Sequence, residues 1–346
     1  MRLYAAADGA VLSVTGPPDD VETRRRLGEY RIECVAADAR VPDRAITGTS
    51  DAGVFRTTDG GDTWHSVGTE TLPESVTSLA ISPADPDVLY AGTEPSAVFR
   101  STDGGETWTD LSGLTDLPSS PSWSFPPRPY THHVRWIEVD RSDSEKLAPS
   151  ESEKMAPSEA DRLWVAVEAG ALVRSFDGGE TWHDRVPTSK RDTHSMATHP
   201  DRPGHVWVAA GDGYAESDDG GETWTTPTAG LGHGYCWSVV VDPADPESVL
   251  LTAARSPMRA HNVGSAESYL YRTRGDGSWE RLDDTGLPTG DGATRSVLAT
   301  GLIGGECYAA NDHGLYRTTD FGDSWTKLDV PWTETRHTAA GLAVVA

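Results

Sequence analysis

Short runs in which apolar and polar residues alternate, broken by Gly, Asp, Pro or Asn, fill this chain from end to end. Residues 75 to 111 show the unit: SVTSLAIS, VLYAGTE, AVFRSTD and TWTDL follow one another with turn residues between them. Period-two alternation bounded by turn formers predicts strands, and four such runs in sequence predict one small antiparallel sheet. No run reaches the ~18 apolar residues that a membrane-spanning helix needs. The opening MRLYAAADGAVLSV also lacks the long apolar core of a signal peptide. The expectation is therefore a soluble, cytoplasmic chain that does not insert into a membrane.

The turn between the third and fourth runs repeats almost verbatim. TTDGGDTW ends at Trp64, STDGGETW at Trp108, SFDGGETW at Trp182, SDDGGETW at Trp224 and TTDFGDSW at Trp325, while TRGDGSW, ending at Trp279, is a degraded copy with Arg274 where Asp is expected. The chemistry suits a hairpin with an aromatic anchor: Asp folds back on the turn, Gly supplies positive φ and Trp packs at the start of the next strand. A strand-rich repeat at this spacing predicts radial repetition. Six sheets are centred on these turns. A seventh is split across the termini, with RLYAAAD and AVLSVTG as its second and third strands and TAAGLAVV as its missing first strand. The prediction is an all-β, single-domain, seven-bladed β-propeller of four-stranded blades spanning residues 1–346, closed by the C-terminal strand. Residues 141–160, with the octapeptide SEKLAPSE and its near-copy SEKMAPSE, form an acidic low-complexity loop within it.

These boxes resemble the Asp-box, or bacterial neuraminidase, repeat of sialidase-like propellers, and the resemblance runs through nearly the whole chain. It implies a propeller with structural boxes set away from any active site. The group includes sialidases and other glycosidases, sortilin-like receptors and a photosystem assembly factor, so the resemblance leaves enzyme and scaffold open. Sialidase chemistry itself is disfavoured, because the family's Phe/Tyr-Arg-Ile-Pro signature is represented only by YRIE, with Glu33 in place of proline.

The long loops 112–133 and 255–268 are expected at the end of the propeller opposite the boxes, where loops carry recognition. Counting back from each box Trp to the start of the innermost strand gives Glu33, Thr77, His194 and Arg295, each 30 or 31 residues ahead. Arg135 lies 47 ahead of Trp182, and removing the 16 residues of the doubled octapeptide brings it to the same 31. Trp237 falls in step once the loop 255–268 is allowed for, and the C-terminal strand offers Arg336 or His337. With a register uncertain by one residue, His132, His133, Asp192, His233 and Tyr235 are alternates.

This ring reads as a ligand-binding pocket at the channel: Arg135, Arg295 and Arg336 suit a bidentate grip on an anionic group, and Trp237, Trp123, Phe125 and Tyr130 offer flat surfaces. A protein partner or an anionic or carbohydrate small molecule is expected, on a monomer. The alternative is a glycoside hydrolase, whose paired carboxyls stand roughly 5 to 9 Å apart, with Glu33 and Asp192 as the catalytic candidates. A metal reading would draw on His194, His337, His133 or His233 with Glu33, but no paired spacing such as HExxH supports it, and no metal or cofactor is expected. The three cysteines, widely spaced, support neither a disulfide framework nor a thiolate site.

Charge narrows the partners. The formal net charge is −25, and only four basic residues are lysines, so nucleic acid is excluded by repulsion from its phosphates. An acidic surface nearly stripped of lysine resembles the proteins of salt-loving archaea, in which concentrated salt screens the self-repulsion. The melting temperature is accordingly expected to rise steeply with added KCl, and a curve flat from dilute to molar KCl would refute this.

Overall fold

The computed structural model describes residues 1–7, 9–140, 161–332 and 338–346. The low-complexity insert, Arg336 and His337 lie outside the described residues. Seven antiparallel sheets follow one another, and their first strands contact each other in a closed cycle. In chain order these inner strands are Ile32–Ala37, Val76–Ile81, Val134–Val139, Thr193–Thr198, Tyr235–Asp242, Val297–Thr300 and the C-terminal Gly341–Val344. The last pairs with Arg2–Ala7 in the register Leu3 to Val344 through Ala6 to Gly341, which completes the first blade and closes the ring. The split blade and the seven-blade count thus agree with the pattern of the chain. In the fourth and fifth blades the outer strand is reduced to a single bridge, Arg174 to His183 and Glu216 to Thr225.

The apolar face of each strand is buried between blades, and the box tryptophans seal those seams. Trp108 packs with Ile46 and Leu72 of the preceding blade, Trp224 with Trp164 and Met196, and Trp325 with Leu250 and Leu270. Five boxes share one hydrogen-bond pattern. The leading hydroxyl of Thr57, Ser101, Ser175, Ser217 or Thr318 donates to the box aspartate (Asp59, Asp103, Asp177, Asp219, Asp320) at 2.7 to 2.8 Å. That aspartate also accepts the backbone N–H of the Thr or Ser four residues on, at 2.9 to 3.0 Å. The second glycine is obligatory at Gly105, where φ is +89° and a Cβ would fall 2.4 Å from Ile46 Cδ1. In the degraded fifth box Asp276 instead accepts the Ser278 N–H at 3.0 Å.

Each turn is also tied to its own blade's first loop: Gly60 N–H donates to Asp43 O, Gly104 N–H to Asp87 O and Gly178 N–H to Asp161 O. The boxes and the loops between first and second strands therefore occupy one end of the ring. The starts of the inner strands and the turns between second and third strands occupy the other.

The box carboxylates couple the fold to pH. Bonds from Thr63 hold Asp59 below its ordinary value. Burial pushes Asp103, Asp177, Asp219 and Asp320 upward, but their hydroxyl and amide donors outweigh it, leaving Asp103 at about 2 and the others lowered. A depressed carboxyl contributes stability that is complete above its unfolded pKa and is lost as pH falls through the folded one. The melting temperature, followed by circular dichroism in KCl, is therefore expected to fall steeply below about pH 4. An unchanged value down to about pH 2.5 would contradict this account of the boxes.

Candidate functional site

Five inner strands share an irregularity at one position. Pairing to the second strand skips a residue between Ile32 and Cys34, Val76 and Ser78, Val134 and Trp136, Thr193 and Ser195, and Cys236 and Ser238. The skipped residues are Glu33, Thr77, Arg135, His194 and Trp237. A bulge releases one residue from the ladder and re-aims its side chain, so one chain irregularity turns five consecutive ring positions out of register. Arg295 reaches the same space from just ahead of Val297–Thr300.

A cavity of about 490 Å³ opens at this end. Its wall includes Glu33, Thr77, Arg135, Tyr235, Trp237 and Arg295 from the inner strands or their approaches, and Glu168 from the turn after Leu163–Val167. The two long loops contribute Phe125, Arg128 and His133 on one side and Pro257 and His261 on the other. Asp192 and His194 stand beside Glu168 and are not wall residues. Among the alternates His233 lies apart, stacked on Tyr269 at 4.4 Å and bonded to the Tyr271 hydroxyl. Trp123 is buried in the core cluster of the third and fourth blades, with its indole N–H on Ser119 Oγ, and Tyr130 is exposed.

Two guanidiniums and an imidazole crowd the Trp237 ring, which also lines the cavity. The Arg295 guanidinium lies 3.6 Å from its ring centre, the His194 ring 4.4 Å and the Arg135 guanidinium 4.8 Å. Arg295, buried, is also fixed by hydrogen bonds: Nε donates to His261 Nδ1 at 3.0 Å, Nη1 to Ala339 O at 3.0 Å and Nη2 to the Thr338 hydroxyl at 3.2 Å. Arg135 is the opposite case. Its buried Nε has no hydrogen-bond partner and stands 3.8 Å from Glu168.

Elementary donor and acceptor rules place the protons. A guanidinium only donates, so His261 Nδ1 accepts and Nε2 carries its hydrogen toward the Tyr235 hydroxyl, 3.1 Å away. A carbonyl only accepts, so His194 Nδ1 donates to Cys236 O at 2.7 Å, leaving its Nε2 as a lone pair. Burial lowers His194 to about 4 and His261 to about 3, so both rings are neutral near pH 7.

The carboxyls are driven apart. Burial raises Glu168, but the His133 bond at 2.9 Å and the charge of Arg135 outweigh it and leave Glu168 at about 2. Asp192 is raised to about 6 by burial and by the charges of Glu168 and Asp212. Glu33 is raised by burial, against Arg135 and His133. Counting along inner strands could not find Glu168, because it sits in a turn between second and third strands. The signal for it was that such turns share the cavity end.

The box segments match the BNR/Asp-box repeat at residues 99–110 and 173–184, and those repeats sit on a closed ring of seven blades. The chain is a seven-bladed β-propeller that carries Asp-box repeats. No curated protein matches it in sequence. Solved structures are similar in fold. An ancestral GH74 enzyme aligns at 15% identity and TM-score 0.60, over 90% of this chain and 38% of that one. The Niastella koreensis GH74 enzyme aligns at 15% and 0.62, over 98% and 53%. YCF48, solved with D1 peptide bound, aligns at 16% and 0.57, over 89% and 84%. The propeller spans about half or less of the GH74 structures it resembles, and the likeness is one of fold.

The two central arginines differ in what they hold. Arg295→Lys removes a fixed fork and is expected to destabilise the propeller by about 2–4 kcal/mol, whereas Arg135→Gln should change stability by less than about 1 kcal/mol. Denaturant unfolding of both variants checks this, and equal losses would contradict the assignment.

Proposed function

We propose that this propeller is a binding module whose cavity grips an anionic or hydroxyl-rich group of a small molecule or partner protein, with Arg135 as the principal donor. One observation carries the reading: Arg135 lines a roomy cavity, and its guanidinium has a buried Nε–H without a hydrogen-bond partner. Buried polar groups are nearly always satisfied, and an arginine fork suits carboxylates in particular. His133 adds to it. Its Nε2 donates to Glu168, so in the neutral ring the buried, unpartnered Nδ1 is an acceptor suited to a hydroxyl of the ligand. The likeness to YCF48, a propeller solved with a peptide bound, makes an extended partner chain a reasonable occupant.

A second reading, a glycoside hydrolase, draws on Glu33 and Glu168. Both line the cavity, and their environments push them in opposite directions, one toward the protonated form and the other held ionised. Divergent carboxyls of this kind divide acid from base or nucleophile. Asp192 is then a neighbour that raises the negative potential behind Glu168. The GH74 likeness fits this reading as well as it fits a non-catalytic one.

One set of measurements in molar KCl separates them. D-glucuronate and a short peptide with a free C-terminal carboxylate are titrated by calorimetry, and aryl glycosides are assayed for hydrolysis. The binding reading expects saturable affinity for one of the probes that Arg135→Gln weakens more than about tenfold, by analogy with charged hydrogen bonds. Binding unaffected by that change would overturn it. Hydrolysis abolished by Glu33→Gln and by Glu168→Gln would establish the second reading, and no turnover of any glycoside would end it.

A further inference from the structure

Behind the cavity wall three acceptor atoms face one another. Glu168 Oε1 lies 3.9 Å from His194 Nε2, and Asp192 Oδ2 lies 3.8 Å from it; all three groups present ligand atoms within 4.8 Å of one another. The opposite atom of each group is already held. Glu168 Oε2 accepts from His133 at 2.9 Å, Asp192 Oδ1 accepts the Ala169 N–H at 3.0 Å, and His194 Nδ1 donates to Cys236 O. Clamping of the outer atoms fixes the inner ones, the arrangement by which proteins orient metal ligands.

The imidazole is the second, independent sign. His194 has a side chain with no exposure, and its lone pair is aimed between two carboxylates. The nearest O–H, that of Tyr235, stands 3.5 Å away, at the limit of a hydrogen bond. Gly211 leaves the room: a Cβ there would fall 2.0 Å from Asp192 Oδ2. Two carboxylate oxygens and a lone pair held this close repel unless a positive charge sits among them. Arg135 does not fill this role, since its Nε approaches the outer oxygen of Glu168.

We propose that Glu168, Asp192 and His194 bind one divalent transition-metal ion, with Zn²⁺ as the reference case. One imidazole and two carboxylates favour Zn²⁺, Co²⁺ or Mn²⁺ over Mg²⁺ and Ca²⁺, which take all-oxygen sites. Three protein ligands leave a coordination position open, and because Glu168 is shared with the cavity wall, that position is within reach of a ligand gripped by Arg135. The site does not depend on either reading of the cavity.

Protein stripped with chelator and exchanged into molar KCl, which screens weak binding to the acidic surface, is titrated with Zn²⁺ by calorimetry. One ion per chain is expected, with affinity at least tenfold weaker in Asp192→Asn and in Gly211→Ala. Co²⁺ loaded into the unaltered protein should give the intense visible bands of a low-coordinate site, shifted or lost in His194→Gln. Absence of a saturable event, equal affinity in folded variants, or a Co²⁺ spectrum identical to the hydrated ion would overturn the proposal. The Co²⁺ spectrum needs no variant, so it decides the matter even where a substitution impairs folding.

Discussion

The pairing of the C-terminal strand with the N-terminal blade is the constraint on which everything else rests. Backbone N–H and C=O groups left on a sheet edge are unsatisfied and recruit other chains. Here the register Leu3 to Val344 removes the ring's one break. Once the ring is closed, seven first strands converge on one axis, and their chain direction dictates that boxes fall at one end and bulges at the other. The buried apolar seams between blades then hold the disc rigid, because each box tryptophan packs across to its neighbour.

Division of labour between the two ends follows. At the box end, hydroxyl, carboxylate and glycine amide satisfy one another locally, so the chemistry is spent on structure. At the bulge end, polar side chains are released from the ladder into a shared space and satisfy one another only in part. Arg295, His261 and Tyr235 form a well-bonded series, whereas Arg135, His133 and the inward atoms of Glu168, Asp192 and His194 do not. The contrast separates groups that are tied into the ring's own hydrogen bonds from groups that are not.

The architecture was legible in the chain because its signals are local and repeated. A box needs only eight neighbouring residues to announce a turn, and the bulged positions recur at a fixed distance from it, even across the doubled octapeptide. The site was less legible, since its members come from separate blades. Glu33, Arg135, His194 and Trp237 were placed by counting. Glu168 was invisible to that count, because turn residues between second and third strands have no fixed register to the box. The surroundings of Trp237 were also beyond reach: nothing in the linear pattern says that Arg295, Arg135 and His194 gather around its ring. His194 and Asp192 are close in sequence, but their meeting with a carboxylate of the previous blade exists only once the blades are packed.

Arg295 bonds to Thr338 and Ala339, just ahead of the strand that closes the ring. The cavity therefore takes part of its wall from the segment that closes the ring. The other inner strands carry most of the cavity's polar side chains, yet without that segment they enclose no finished wall. Closure of the ring and completion of the cavity wall therefore coincide, and whatever loosens the pairing of Leu3 with Val344 opens the wall as well.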